Sequence, residues 1–319
     1  MRGFTAGVVF ATTTAVIWGG QFVVAKSAIG EVDPFWLTTI RYALASAVLL
    51  LLLALFEGRA ALRPDGRGRQ LFWLGTLGFA GFNLLAFTGL QHAEPQNAAL
   101  VVALAPLVTA IVLWLRDGVR PARVTGVAMG VALFGVALVI SGGAPASILH
   151  GSIGWGDGLV LLGVISFVLY TLGASRHAGL SPLRYTALTA SLGWLSIAGA
   201  TVLATAAGFV EVPSAASVAN VTPEILYLAL PGAVVAVLTW NAAVGRIGAQ
   251  NVALIGNLIP VVTFTVEISR GYRPNGVELA GAALTLSALA ANNLLLRRRA
   301  ATAATRPERV EKDVIPEAA

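Results

Sequence analysis

Residues Gln96 to Val112 read QNAALVVALAPLVTAIV, and residues Gln250 to Val266 read QNVALIGNLIPVVTFTV. Nine of the 17 aligned positions are identical, among them Gln96/Gln250, Asn97/Asn251, Pro106/Pro260 and Thr109/Thr263. Each copy is long enough to cross a bilayer, and each carries a proline near its middle. A proline inside a helix has no N–H for the carbonyl four residues earlier, here those of Val102 and Gly256. In hydrocarbon such a carbonyl is tolerated only where protein or a watery cavity satisfies it. Matched broken helices in two halves of one chain imply an inverted-repeat membrane carrier with its site between the halves.

Composition agrees with a membrane-embedded chain. Hydrophobic residues make up 57% and charged residues 11%, against about 25% charged in a soluble domain. With no cysteine and three scattered histidines (His92, His150, His177), the chain has no thiolate metal site and no histidine cluster. No cofactor is expected. The net charge of +6 does not signal nucleic acid, because the basic residues lie in short loops between apolar runs.

Ten apolar runs are near the required length, at 5–29, 34–56, 70–90, 96–115, 124–141, 155–176, 182–207, 223–244, 250–269 and 276–296. Turn chemistry separates them, as at Asp33-Pro34, Arg120-Pro121, Ser181-Pro182 and Thr222-Pro223. The repeated segment falls on spans four and nine, so the unit is five spans. An odd number of crossings turns the second unit upside down. The expected architecture is all-α, with ten transmembrane helices as two inverted five-helix repeats. Residues 1–145 form the first repeat, 146–299 the second, and 300–319 a disordered tail. With the N-terminus cytoplasmic, 17 of the 21 Lys and Arg residues fall on inner loops and tails. Both termini are therefore assigned to the cytoplasm.

The chain resembles the drug/metabolite transporter superfamily, in its ten-span EamA-type branch. The residues that carry the resemblance are Trp18-Gly19, Gln96-Asn97, Gln250-Asn251, Pro106, Pro260, Gly126, Gly130, Gly276 and Gly281, and it extends over residues 5–296. It implies a transporter of small molecules in the lipid bilayer, similar to bacterial exporters of aromatic and other neutral amino acids. A monomer is expected. The family often carries a glutamate after spans four and nine. Here Asp117 follows span four, whereas Arg270 to Arg273 contain no acid.

Polar and aromatic stripes at helical spacing mark the candidate site. Span one presents Thr14, Trp18 and Gln21; span three Phe79, Phe82, Asn83 and Phe87; span six Ser166, Phe167 and Tyr170. Span eight adds Trp240 and Asn241, and span nine Asn257 with Pro260 and Thr263. From these, Trp18, Gln21, Phe79, Phe82, Asn83, Tyr170, Trp240, Asn241 and Asn257 are the expected substrate-binding residues. Pro106 and Pro260 are the expected helix breaks. Aromatic walls favour a flat apolar group, and amides orient a zwitterion. Helix packing is the alternative for each stripe, since buried polar residues join membrane helices for roughly 0.6 kcal/mol apiece.

Arg41 offers a carboxylate clamp, but snorkelling to the outer interface or pairing with Glu31 or Asp33 is the expectation, and Lys26 is read the same way. Glu267 is placed to pair with Arg270. Gly75, Gly78 and Gly81 on span three, and Gly126 with Gly130 on span five, are expected at close helix contacts. No acid or histidine sits at mid-span, which gives little support to proton coupling through a buried carboxylate. An intramembrane enzyme lacks its nucleophile and base, and a channel lacks a charged ring. The reading is a non-enzymatic exporter of neutral, preferably aromatic, amino acids, with a broad-specificity drug/metabolite permease as the alternative.

Cysteine labelling tests the topology, because the chain has no cysteine of its own. Leu62→Cys is expected to be protected from an impermeant external reagent, and Ala146→Cys to react. The reverse pattern overturns the assignment.

Overall fold

Span boundaries follow from capping chemistry. The Asp33 carboxylate accepts from the Phe35 N–H at 2.8 Å, Pro34 occupies the first turn, and span two runs Pro34–Phe56. Ser181 caps span seven, its hydroxyl accepting from the Arg184 N–H at 3.0 Å, and that helix runs Pro182–Ala206. In both, a side-chain oxygen takes an orphan donor and a proline sits where no N–H is needed.

The computed structural model describes residues 2–118, 120–140, 154–174 and 179–304. Their regular structure is helical. Six helices are long and apolar enough to cross a membrane: Gly3–Ile29, Pro34–Phe56, Gly68–Gln91, Trp155–Gly173, Pro182–Ala206 and Thr222–Ile247. Span four is a bent pair, Pro95–Ala103 and Ala105–Asp117, with a 42° angle between its parts. Spans five and ten are Arg123–Ile140 and Gly276–Ala304. Span nine is again two pieces, Ala249–Gly256 and Leu258–Ser269. Large apolar side chains such as Leu55, Leu115 and Leu203 face outward, as lipid contact requires.

Packing obeys a pseudo-two-fold rule. Span one packs on eight, and its counterpart six packs on three; one meets nine as six meets four; two meets eight as seven meets three. Spans two and seven meet each other, as do five and ten. Five crossings per unit reverse the direction of each counterpart, so the dyad lies in the membrane plane.

Three expectations are corrected. The expected tail begins at 300, yet span ten stays helical to Ala304, because an alanine-rich end favours helix. The boundary between repeats at 145/146 and the remainder of the tail lie outside the described residues. Spans three and eight are not uniform α-helices. They contain wide π-helical turns at Thr76–Gly81 and Leu228–Val235, the latter around Pro231. The glycines of span five do not make its close contact, since an added Cβ at Gly126 or Gly130 meets nothing within 4 Å. They lie on the face opposite Thr125, Ala128, Ala132 and Val136, which are buried. The contact is made by Gly135, whose missing Cβ would stand 2.6 Å from the Gly281 carbonyl.

Span three behaves as read. A Cβ on Gly75 would fall 2.1 Å from the Thr189 carbonyl, and one on Gly78 would fall 2.5 Å from the Tyr170 ring. Gly75→Ala is therefore expected to destabilise the protein by about 1–3 kcal/mol through overpacking against backbone, while Gly126→Ala stays within about 0.5 kcal/mol. Thermal unfolding of the purified variants in one detergent measures the contrast.

Candidate functional site

Each π-helical turn widens its helix, and each has a carbonyl that takes a donor from the other half of the molecule. The Leu77 carbonyl of span three accepts from the Ser166 hydroxyl of span six at 2.8 Å. The Gly232 carbonyl of span eight accepts from the Trp18 indole N–H of span one at 3.1 Å. Thr263 of span nine donates to the Gly19 carbonyl at 2.7 Å, and Tyr227 of span eight to the Ile17 carbonyl at 2.8 Å. Side-chain donors of each half thus reach carbonyls of the other around one central region, which is where irregular backbone is tolerated in a membrane protein.

A cavity occupies that region. Trp18, Gln21 and Phe22 of span one line it, with Tyr42 of span two and Gly78, Phe79, Phe82 and Asn83 of span three. Val102 and Ala105 flank the break of span four; Val164 and Phe167 come from span six, Gly232 and Val237 from span eight, and Ile259 from span nine. Several of these are repeat mates, 154 residues apart: Gly78 with Gly232, Asn83 with Val237, and Ala105 with Ile259. The cavity therefore sits on the dyad.

A continuous chain of rings runs through its wall and the layer behind. Tyr42 meets Phe79 edge-on at 5.4 Å, Phe79 meets Tyr170 at 5.3 Å, and Tyr170 meets Phe167 at 5.7 Å. Phe167 contacts both Phe82 at 5.3 Å and Trp18 at 5.7 Å, and Trp18 rests on Trp240 at 5.2 Å. These offset and edge contacts give a stiff apolar surface. The two glycines make room. A Cβ at Gly232 would stand 2.8 Å from the Gln21 amide oxygen.

Of the nine expected substrate contacts, the structure places Trp18, Gln21, Phe79, Phe82 and Asn83 on the cavity wall. Tyr170, Trp240 and Asn241 form a layer behind it. Tyr170 stacks on Tyr185 at 5.4 Å, and the Asn241 amide donates to the Thr186 hydroxyl at 2.8 Å and the Tyr170 hydroxyl at 3.3 Å. Asn257 is buried at the break of span nine, two residues before the lining Ile259 but not itself on the wall. Pro106 and Pro260 fall in the first turn of the second helical piece, and the breaks themselves lie at Leu104 and Asn257. Phe22, Tyr42, Val102, Ala105 and Val164 were not anticipated. Most are plain apolar residues, and nothing in an apolar helix tells which face meets a cavity.

Two cations correct the snorkelling expectation. Arg41 has no exposed surface, and among the described residues no carboxylate pairs with it. Its Nη2 donates to the Asn83 side-chain oxygen, and the guanidinium lies over the Tyr42 and Phe87 rings at 4.8 and 4.3 Å. Span two packs against spans three, seven and eight around it, so the side chain has no route to an interface. The Lys26 ammonium donates to the Leu90 and Ala93 carbonyls, both at 2.8 Å, closing the end of span three. Glu267 and Arg270 form no ion pair; the helix ends there, and the Arg270 N–H closes its last turn on the Val266 and Glu267 carbonyls. Asp117, the acid after span four, pairs at 2.6 Å with exposed Arg116.

A model of the EamA-like transporter family matches residues 5–141 and matches again over residues 154–294. The chain belongs to this family. It is 28% identical over 301 residues to "Uncharacterized transporter YrdR" of Bacillus subtilis, spanning 92% of each chain. It is 26% identical over 291 residues to "Probable terminal-alkyne amino-acid exporter" of Streptantibioticus cattleyicolor, spanning 90% of this chain and 91% of that one. A solved crystal structure of 22% identity shares the fold, with a TM-score of 0.66 over 93% of this chain and 99% of the other. The protein is thus a multi-pass membrane transporter for small molecules, and the two family matches coincide with its two five-helix units.

Asn83 is the one side chain that accepts a hydrogen bond from Arg41 among the described residues. Its own amide donates to the Phe79 carbonyl at 2.7 Å and the Tyr42 hydroxyl at 3.1 Å. Asn83→Leu is expected to lower stability by roughly 2–3 kcal/mol, the worth of a hydrogen bond to a buried charge. Asn241→Leu, whose partners are neutral hydroxyls, should cost about 1 kcal/mol. Thermal or chaotrope unfolding in detergent separates the two.

Proposed function

We propose that this transporter exports neutral amino acids, preferring those with aromatic or other flat apolar side chains, by alternating access across a bacterial inner membrane. The observation that carries the reading is the cavity on the dyad. Rings from spans one, two, three and six wall it, and two amides, Gln21 and Asn83, lie on the same surface. Rings suit an apolar side chain, and amides suit the ammonium and carboxylate groups of a zwitterion. The amino-acid exporter among the relatives supports the same class. Within this reading Trp18, Gln21, Phe79, Phe82 and Asn83 contact substrate. Trp240, Tyr170 and Asn241 hold the wall in place, and Asn257 acts at the break of span nine. The breaks set by Pro106 and Pro260 bend where the halves rock. The lysine and arginine distribution supports cytoplasmic termini, and the protein is read as a monomer.

A broad-specificity permease is the second reading. The lining is mostly apolar, with few polar groups to impose orientation, and such a surface discriminates weakly among apolar molecules of similar size.

Counterflow in proteoliposomes tests both. Trp18→Ala is expected to weaken tryptophan by about 1–2 kcal/mol, an aromatic contact's worth, and to leave threonine nearly unchanged. Equal affinities for both amino acids in variant and wild type return Trp18 to a packing role. Equal transport of a cationic dye by the wild type favours the permease.

A further inference from the structure

Arg41 stands seven residues into span two, about 10 Å along the helix from Pro34, and is wholly buried. Its Nε and Nη1 have no hydrogen-bond partner, and among the described residues no carboxylate lies within ion-pair distance. Two rings and one amide oxygen hold it, and none of these is a negative charge. An uncompensated charge at this depth is costly, and intramembrane cations are kept where an anion reaches them. An anion can approach from the cavity. Tyr42 and Asn83, which touch the guanidinium, are themselves cavity wall, and Asn83 follows directly on the π-helical turn of span three.

We propose that Arg41 is the carboxylate receptor of the cavity: a substrate carboxylate entering beside Asn83 becomes its counterion. The carboxylate takes the guanidinium donors in a two-pronged fashion, for which arginine's planar fork is shaped. Asn83, whose amide hydrogens are taken by the Phe79 carbonyl and the Tyr42 hydroxyl, holds the guanidinium through its oxygen beside the same site. The inference rests on the reading of the cavity as an amino-acid site and names the group that the site requires. It predicts that a ligand without a negative charge is admitted by the rings but held poorly. A purely structural Arg41, tying span two to span three, predicts no such difference.

The test is equilibrium binding to the full-length protein in lipid nanodiscs, in chloride-free buffer. The labelled probes are tryptophan, tryptophan amide and indole-3-propionate. The wild type is expected to favour each carboxylate over the amide by about tenfold or more, the scale of one charge-assisted hydrogen bond. Arg41→Gln should abolish that preference while leaving the amide's affinity within about twofold, a change too small to signal a lost contact. Arg41→Lys should restore part of the preference. Asn83→Asp, which supplies an internal carboxylate, should weaken both carboxylates selectively, and it decides the matter together with Arg41→Lys where Arg41→Gln does not fold. Equal wild-type affinity for tryptophan and its amide overturns the inference and leaves the amino-acid reading standing. An equal loss for all three probes in the Arg41 variants, or no carboxylate binding by the wild type, also overturns it. Arg41-dependent binding of indole-3-propionate without binding of tryptophan upholds the inference and removes the amino-acid reading.

Discussion

In a hydrocarbon surrounding, every backbone carbonyl that a helix leaves unpaired must find a donor in the protein, and this molecule is organised by that requirement. Its four irregular places are the π-helical turns of spans three and eight and the breaks of spans four and nine. They occupy corresponding places in the two five-helix units. At the two π-helical turns donors from the opposite unit reach in: Ser166 to the Leu77 carbonyl and Trp18 to the Gly232 carbonyl. The Leu77 carbonyl also takes the Phe82 N–H of its own helix, and the span-four break closes on the Leu104 carbonyl, so the donors from the opposite unit add to local pairing. The dyad is thus held by polar bonds as well as by packing.

The same exchange creates the cavity. Wide turns and glycines at Gly78 and Gly232 thin the helices where they cross the dyad, and the large rings of spans one, three and six fill the surrounding space. Trp18 takes part twice, as a donor to the span-eight turn and as a ring on the wall. A residue in both roles couples what occupies the cavity to the geometry of the opposite half. Alternating access needs a coupling of that kind, because a ligand shifts an equilibrium only through contacts that differ between its states.

Charge is confined to places where the structure can tolerate it. Arg184, in the first turn of span seven, binds the Ala61 and Arg63 carbonyls and Asp65, and Lys26 closes the end of span three. Arg41 alone stands fully buried among the described basic residues. The rings of Tyr42 and Phe87 on its two sides lower the cost of its burial. Asn83 links that charge to the cavity, so the polarity of the site is set from behind its wall.

The repeat Gln96–Val112 with Gln250–Val266 was sufficient to indicate ten helices in two units, because proline and hydrophobic length act locally and no distant residue can relax them. Pro34 and Pro182 fixed helix starts for the same reason. Stripes at helical spacing pick out Trp18, Gln21, Phe79, Phe82 and Asn83, which line the cavity, since polar and large aromatic residues stand out in a span of aliphatic ones. Which face of each helix meets the dyad was decided only by packing. Gly126 and Gly130 look like contact glycines and face outward, while Gly135 makes the contact. Tyr170, Trp240 and Asn241 share their stripes with wall residues yet stand one layer back. The π-helical turns left no local trace beyond glycines and Pro231. Arg41 is the clearest case. Counted along the chain it lies near an interface that a long side chain reaches, and only the helices packed around span two remove that route. Hydrophobicity and backbone chemistry are properties of a segment, whereas burial of a charge is a property of the assembled bundle.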